Sequence, residues 1–302
     1  MSVYPEPGSG LDCTVASPAD CGVPLDTPLE LRFDRYLLPR TAIRQAIRLY
    51  SGSPNRTVLL EPSYDLVERV VTYVPGHPGG LAPGLLYEVR ITLPAEDRDG
   101  YGFRAFDGAP LEEDGSVDLS FSFRTREAPA ADPAAVAPPP CTDALAVLRG
   151  AGCPTCHAQG KHPPMGLALD SGPSLDETAI ARVAHETDTG PTAGAAVVDG
   201  PRFGAGLAVI APSNPAESYL LYKLLANPGN FGTGAAACTT AHAVAMPRGA
   251  CPEPSSAERA RLAEWMVPLD PMPRGGTLPG GVEDLRLLQV FIAYGADTSG
   301  CP

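Results

Sequence analysis

The sequence predicts a chain of two folded parts, an N-terminal all-β sandwich and a C-terminal all-α domain with long loops. Three observations predict this fold class. In the first 126 residues, apolar and polar residues alternate with the period of two that is typical of strands. An Ala/Pro-rich segment without apolar periodicity follows, and N-cap residues with helical periodicity begin after it. We therefore place the β-domain at residues 1–126, an extended linker at 127–140 and the helical domain at 141–302.

The N-terminal strands are predicted from short alternating runs that are separated by turn-rich pieces. These runs are PLELRF (28–33), IRLY (47–50), VVTYVP (70–75), LLYEVRITL (85–93) and VDLSFSFRT (117–125). Their spacing is typical of a small antiparallel sandwich. Together with the turn segment PGHPGGLAPG, their order resembles the bacterial Ig-like domains of the S-layer type over about residues 15–126. That resemblance implies a spacer or adhesion unit, so we assign no catalysis to it.

The C-terminal helices are predicted from N-cap signatures followed by apolar stripes. Short helices joined by long Gly/Pro-rich loops make a poor core by themselves, and a large apolar prosthetic group in the middle would complete it. The predicted helices are CTDALAVLRGAG from Thr142, SLDETAIARVAHE with Ser174 and Glu177 as a capping box, SNPAESYLLYKLL with Asn214 as cap and Pro215 as first helical residue, SSAERARLAEWMV with Ser255 and Glu258, and VEDLRLLQVFIAYGA, which ends at Gly295.

The most specific chemical motif is CPTCH, which contains Cys153, Cys156 and His157. Two thiols three residues apart lie on the same side of a helical turn, where they can add to the two vinyl groups of one haem. The next histidine then lies under the iron as proximal ligand. A zinc site would need a second ligand pair at similar spacing, which the other cysteines do not form. A thioredoxin-like dithiol would need a βαβ context, which is lacking here. The motif occurs once, so we expect one covalent haem c.

The order of segments around this motif resembles the planctomycete-type c-type cytochrome domains. ALAVLRGAGCPTCH is followed by GLALDSG, AVIAPSNPAESYLLYKL, AMPRG and ERARLAEWMV, over about residues 141–296. The resemblance implies that Cys153 and Cys156 carry the haem and that His157 is its proximal ligand. This sequence departs from the family pattern because Met-Pro occurs twice, at Met246 and at Met272.

The sixth iron ligand is expected to be Met246, with Met272 as the alternative. Met246 lies between Cys238 and Cys251, where a disulfide would hold its loop against the haem, and a capped helix follows it. Met272 lies in the looser loop LDPMPRGG. Core packing is the alternative role for either methionine. The other possibilities that stay open are Met165, His162, His185, His242 and an open site.

The chain has eight cysteines, two of them in the motif, and this number indicates an oxidising compartment with three disulfides. Loop closure favours Cys13 with Cys21, Cys238 with Cys251, and Cys141 with Cys301, which would join the two ends of the helical domain. The opening MSVYPEPGSG lacks the basic and apolar regions of a signal peptide. Either the protein is cytoplasmic or a signal peptide or lipoprotein signal has been removed, and the number of cysteines favours removal. We therefore expect the protein in the periplasm or at the cell surface.

The net charge is −13, from 22 basic and 35 acidic residues, and argues against nucleic acid or an anionic membrane surface as partner. No stretch reaches the roughly 20 apolar residues that a transmembrane segment requires. The acidic charge favours a redox partner protein with a basic docking patch. The predicted function is electron transfer by an extracytoplasmic monohaem c-type cytochrome, a carrier rather than a catalyst. Two alternatives stay open: a peroxidase-like haem enzyme or ligand sensor with an open axial site, and a surface interaction protein dominated by the Ig-like domain.

Overall fold

The structure is a computed structural model, and its described residues form two compact units. The first unit holds those of Met1–Asp65 and Arg69–Ala135, and the second holds those of Leu66–Glu68, Val136–Ala241 and Arg248–Pro302. Most of the predicted linker, residues 127–137, lies outside the described part, so the predicted domain bounds stay a prediction. The described residues are 1–11, 21–51, 56–76, 80–94, 102–112, 119–126, 138–184, 207–231, 253–265 and 270–302.

The first unit contains two four-stranded antiparallel sheets. Its strands are β1 (Ser2–Tyr4), β2 (Leu29–Arg32), β3 (Ile47–Ser51), β4 (Arg56–Val58), β5 (Leu60–Asp65), β6 (Val70–Pro75), β7 (Leu86–Ile91) and β8 (Ser120–Arg124). One sheet has the order β1-β2-β6-β5, and the other has the order β4-β3-β7-β8.

Side chains from both sheets form one core, so this unit is a β-sandwich. In β2, the buried Leu29 and Leu31 lie opposite the buried Tyr73 and Val71 of β6. Because alternate residues of a strand point to the same face, this register turns one apolar face of the sheet inward. The second sheet contributes Ile47, Leu49, Tyr87, Val89, Ile91, Phe121 and Phe123 to the same core.

The five predicted strand segments coincide with β2, β3, β6, β7 and β8. The sequence analysis did not predict β1, β4 or β5. Strand β5 contains Pro62, which has no N–H to donate, and such a residue argues against a central strand. It is tolerated here because β5 lies at the edge of its sheet.

The second unit contains five described α-helices joined by long irregular segments. They are α1 (Cys141–Gly150), α2 (Gly172–Thr178), α3 (Tyr219–Leu225), α4 (Ser256–Trp265) and α5 (Val282–Ala293). In α1, Ala144, Leu145 and Leu148 form the buried stripe. The longest of these helices, α5, has 12 residues, and no helix in the described part is long and apolar enough to cross a membrane.

The predicted fold class, an Ig-like sandwich joined to an all-α cytochrome c-like domain, is wrong, because the second unit is not clearly all-α. The helix predicted over SLDETAIARVAHE stops at Thr178. Ala181 then adopts a left-handed φ of 55°, and β-bridges join Ile180 to Ile210 and Val183 to Ala208. The β-branched side chains of Ile180 and Val183 favour these extended positions over a continued helix.

Two predicted helix starts also differ from the structure. Ser171, rather than Ser174, caps α2, since its side chain accepts a hydrogen bond from the Ser174 amide. Asn214 makes no capping hydrogen bond through its side chain, and Pro215–Glu217 form a 3-10 turn before α3 begins at Tyr219. By contrast, the predicted cap at Ser255 is confirmed, since its Oγ accepts from the Glu258 amide at 3.1 Å.

Candidate functional site

The CPTCH motif lies directly after α1. Gly152 adopts a left-handed φ of 75°, a conformation that glycine enters without steric cost. The chain then forms a 3-10 turn over Cys153–Thr155. The carbonyl of Cys153 accepts hydrogen bonds from the amides of Cys156, at 3.3 Å, and His157, at 2.8 Å. This turn therefore holds the backbone of all three motif residues together.

The two motif cysteines are free thiols that differ in exposure, with Cys153 half-buried and Cys156 exposed. Burial raises the pKa of the Cys153 thiol to about 11, so this group is protonated at neutral pH. A thioredoxin-type dithiol instead relies on a thiolate of lowered pKa. The environment of Cys153 therefore does not supply such a thiolate.

The imidazole of His157 is oriented by a backbone carbonyl. Its Nδ1 lies 3.0 Å from the carbonyl oxygen of Leu167. A carbonyl oxygen can only accept, so Nδ1 carries the proton and donates it. With the proton on Nδ1, Nε2 is the ring nitrogen whose lone pair can bind a metal.

Hydrogen bonds close residues 153–170, which we call the motif loop. The Leu169 amide donates to the His157 carbonyl at 2.7 Å. The Gln159 amide donates to Oδ2 of Asp170 at 3.2 Å. From α1, Nη2 of Arg149 donates to the Asp170 carbonyl at 2.9 Å. These hydrogen bonds link the end of the motif loop to Arg149, before the motif, and to His157 and Gln159, at its end and just after it.

Helix α2 supports the end of the motif loop. The Ala168 amide donates to Oγ1 of Thr178 at 2.9 Å, and this hydroxyl lies 2.8 Å from the Ser174 carbonyl oxygen. Ser171, the N-cap of α2, directly follows the last residue of the motif loop, so no residue separates the loop from the helix cap.

Asp170 is a carboxylate at the junction of the motif loop and α2. Burial acts to raise its pKa, but hydrogen bonds from Ser174 and the Gln159 amide and the charge of Arg149 lower it overall. Asp170 is therefore ionised at neutral pH, and its charge strengthens the hydrogen bond from the Gln159 amide.

The structure places three of the candidate sixth ligands. Met165 is 72% exposed and lies two residues before Leu167, whose carbonyl oxygen lies at Nδ1 of His157. His162 is also exposed. Met272 is held beside α3 through its amide, which donates to the Lys223 carbonyl at 3.1 Å. Met246, His185 and His242 lie outside the described residues, so the choice between Met246 and Met272 stays a prediction.

One predicted disulfide is confirmed, the bond between Cys141 and Cys301, whose Cα atoms lie 5.6 Å apart. It joins the first residue of α1 to the segment after α5. Cys21 is also disulfide-bonded, but Cys13 lies outside the described residues. Cys238 and Cys251 lie outside them as well, so these two pairings stay predictions.

Sequence reasoning missed the residues that support His157, namely Leu167, Asp170 and Thr178. A backbone carbonyl acceptor such as that of Leu167 leaves no trace in residue type. Asp170 belongs to the segment GLALDSG, and its position directly before the Ser171 cap is the sequence signal that marks it. Among the described residues, no three His, Cys, Asp or Glu side chains are grouped so as to hold a metal ion.

No family model matches the chain, and no curated protein matches it. Among solved structures, the chain is similar to the crystal structure of the S-layer protein rSbsC(31-844), with 13% sequence identity and a TM-score of 0.24. The match covers 37% of this chain and 13% of that chain. Similarity at this level carries no conclusion about fold or function.

Proposed function

We propose that this protein binds one haem c covalently and transfers electrons. The observation that carries the proposal is the state of the motif: two free thiols three residues apart, followed by a histidine whose Nδ1 is bound to a carbonyl. This donor set fits a c-type haem, which takes two cysteine thiols and one imidazole nitrogen from such a motif.

Cys153 and Cys156 would hold the group through two thioethers, each formed by addition of a thiol S–H across one vinyl group, which needs no external oxidant. His157 would bind the iron through Nε2, while the Leu167 carbonyl orients the ring by accepting the hydrogen bond from Nδ1. When bound, the haem supplies an iron that changes between two oxidation states. The chain supplies attachment, orientation and the polarity of the surroundings.

The proposed location is extracytoplasmic, in the periplasm or at the cell surface. The Cys141–Cys301 disulfide supports this location, because disulfides persist in oxidising compartments and are rare in the cytosol.

The proposed partner is a redox protein with a basic docking patch. In the described part of the second unit, exposed carboxylates outnumber exposed cations, and such a surface raises the encounter rate with a basic partner. The exposed carboxylates are those of Asp143, Asp176, Glu177, Glu217, Glu253, Glu264, Asp270 and Asp297, and the exposed cations are Arg149, Lys161, Arg182 and Arg274. The rate of electron transfer with such a partner should fall as the ionic strength rises. An unchanged rate would refute the proposal of a partner with a basic patch.

The experiment that tests the function is haem staining after denaturing electrophoresis of protein produced with a haem-attachment system. The wild-type band should stain, and the Cys153→Ala/Cys156→Ala variant should not. The Cys141→Ala/Cys301→Ala variant, which removes the same number of cysteines elsewhere, should keep the stain. A wild-type band without covalent haem would refute the proposal, and rapid carbon monoxide binding to the reduced protein would favour a haem enzyme or ligand sensor instead.

A further inference from the structure

Asp170 connects the residues on the two sides of His157. Its Oδ2 accepts the amide N–H of Gln159, two residues after the histidine, at 3.2 Å. Its own chain neighbour Leu169 donates an amide N–H to the His157 carbonyl at 2.7 Å. One carboxylate therefore ties the segment that contains the histidine to the segment that contains the carbonyl bound to its ring.

Asp170 is itself held at its backbone. Nη2 of Arg149 donates to its carbonyl at 2.9 Å, and the capped start of α2 follows at Ser171. Because α1 and α2 hold the backbone of Asp170, its carboxylate holds the Gln159 amide in a fixed position relative to both helices. A carboxylate on a freely moving loop would follow the motif rather than hold it.

We propose that Asp170 is a positioning residue that fixes the imidazole of His157 against the Leu167 carbonyl. This inference rests on the proposed function in one respect, since the position of His157 matters for the haem that it would bind. A hydrogen bond at Nδ1 raises the basicity of the ligating nitrogen and so favours the oxidised iron. Loosening this hydrogen bond should raise the reduction potential.

Three variants of the full chain separate positioning from charge. Asp170→Asn removes the charge and weakens the hydrogen bond to the Gln159 amide. Asp170→Glu keeps the charge but moves the carboxylate by one methylene. The matched control is Asp176→Asn on α2, which removes a carboxylate that accepts a hydrogen bond from Thr298 at 2.6 Å and does not belong to the motif loop.

The first measurement is hydrogen exchange of the chain without haem. The amide proton of Gln159 should exchange about tenfold faster in Asp170→Asn and Asp170→Glu, as expected when a hydrogen bond to a charged acceptor is lost or weakened. The amide proton of Leu169, which is bonded to the His157 carbonyl, should also exchange faster, because the carboxylate no longer holds the two segments together. Both amide protons should exchange at the wild-type rate in Asp176→Asn. Unchanged exchange in both Asp170 variants would overturn the inference, whatever the result of haem staining.

The second measurement is the reduction potential of the haem-loaded proteins. Both Asp170 variants should have a higher potential than the wild type, and the control should not. If only Asp170→Asn and Asp176→Asn shift it, the charge alone acts and Asp170 has no positioning role. If one Asp170 variant does not fold, the other decides both measurements. Failure of haem attachment in the wild type would refute the proposed function but leave the exchange result valid.

Discussion

A Cβ atom built on Gly172 would lie 2.5 Å from the Cβ of Cys301. The start of α2 is therefore packed directly against the Cys141–Cys301 disulfide. The Gly172 amide also donates to the Pro302 carbonyl at 3.0 Å. The support of the motif loop thus extends through α2 to the only disulfide whose two partners are both described.

We predict that Gly172→Ala lowers the free energy of unfolding by about 1–3 kcal/mol, the usual cost of an added group in a closely packed place. Alanine is otherwise the better helix former, so a loss of stability would report the contact with Cys301. Urea unfolding would measure it. The control is Gly276→Ala, where the nearest atom to the new Cβ is 3.9 Å away, and this variant should stay near wild type. Equal stability of the two variants would contradict the packing shown here.

We predict that the Cys141→Ala/Cys301→Ala variant unfolds more easily by about 2–5 kcal/mol. The bond joins residues separated by 160 positions, and a long closed loop restricts the unfolded chain strongly. Denaturant unfolding under oxidising conditions would measure the loss. In a reducing buffer the wild type should approach the variant. A wild type that is no more stable than the variant would show that strain in the folded state offsets the loop restriction.

We predict that the stabilising contribution of Asp170 disappears in acid. Its pKa is lowered in the folded state, so the contribution is present above the unfolded value of about 3.9 and is lost as the pH falls through the folded value. The difference in unfolding free energy between the wild type and Asp170→Asn should shrink as the pH drops below about 4. Chemical denaturation at several pH values would show it. A difference that does not change with pH would mean that the charge of Asp170 contributes nothing.

We predict that Met246→Ala abolishes the long-wavelength methionine–iron band of the haem-loaded protein and opens the iron to cyanide. Its reduction potential should fall if water or histidine takes the vacant position. Met272→Ala should keep the band and cost only about 1 kcal/mol of packing, because Met272 is half-buried beside α3. The visible spectrum of each oxidised variant decides between them. Loss of the band in Met272→Ala alone would reverse the assignment.

Local patterns predict five of the eight described strands of the sandwich, because each pattern is a property of one short segment. The inward residues of β7, Tyr87, Val89 and Ile91, alternate in the sequence and are buried in the structure. The Cys141–Cys301 bond was also predicted correctly, from the ends of a domain that must close. The motif itself was found because cysteine and histidine at that spacing are chemically specific.

The predicted all-α class failed where contacts between distant segments decide the conformation. Ile180 and Ile210 form a β-bridge across 30 positions, and neither segment has a strand pattern of its own. Helix α3, by contrast, is predicted correctly as a helix, although all of its residues, including Lys223, are buried. The role of the Leu167 carbonyl could not be predicted for a different reason. Every residue carries a backbone carbonyl, so the residue type does not show which one accepts the hydrogen bond from His157.

The Cys141–Cys301 bond also makes residues 141–301 a closed covalent ring. A protease that cuts this ring once would leave both fragments joined, so the nicked protein would keep its apparent size until a reductant is added. Proteolytic damage within the ring would therefore escape detection on a non-reducing gel, and any haem on Cys153 and Cys156 would remain attached to a product that looks whole.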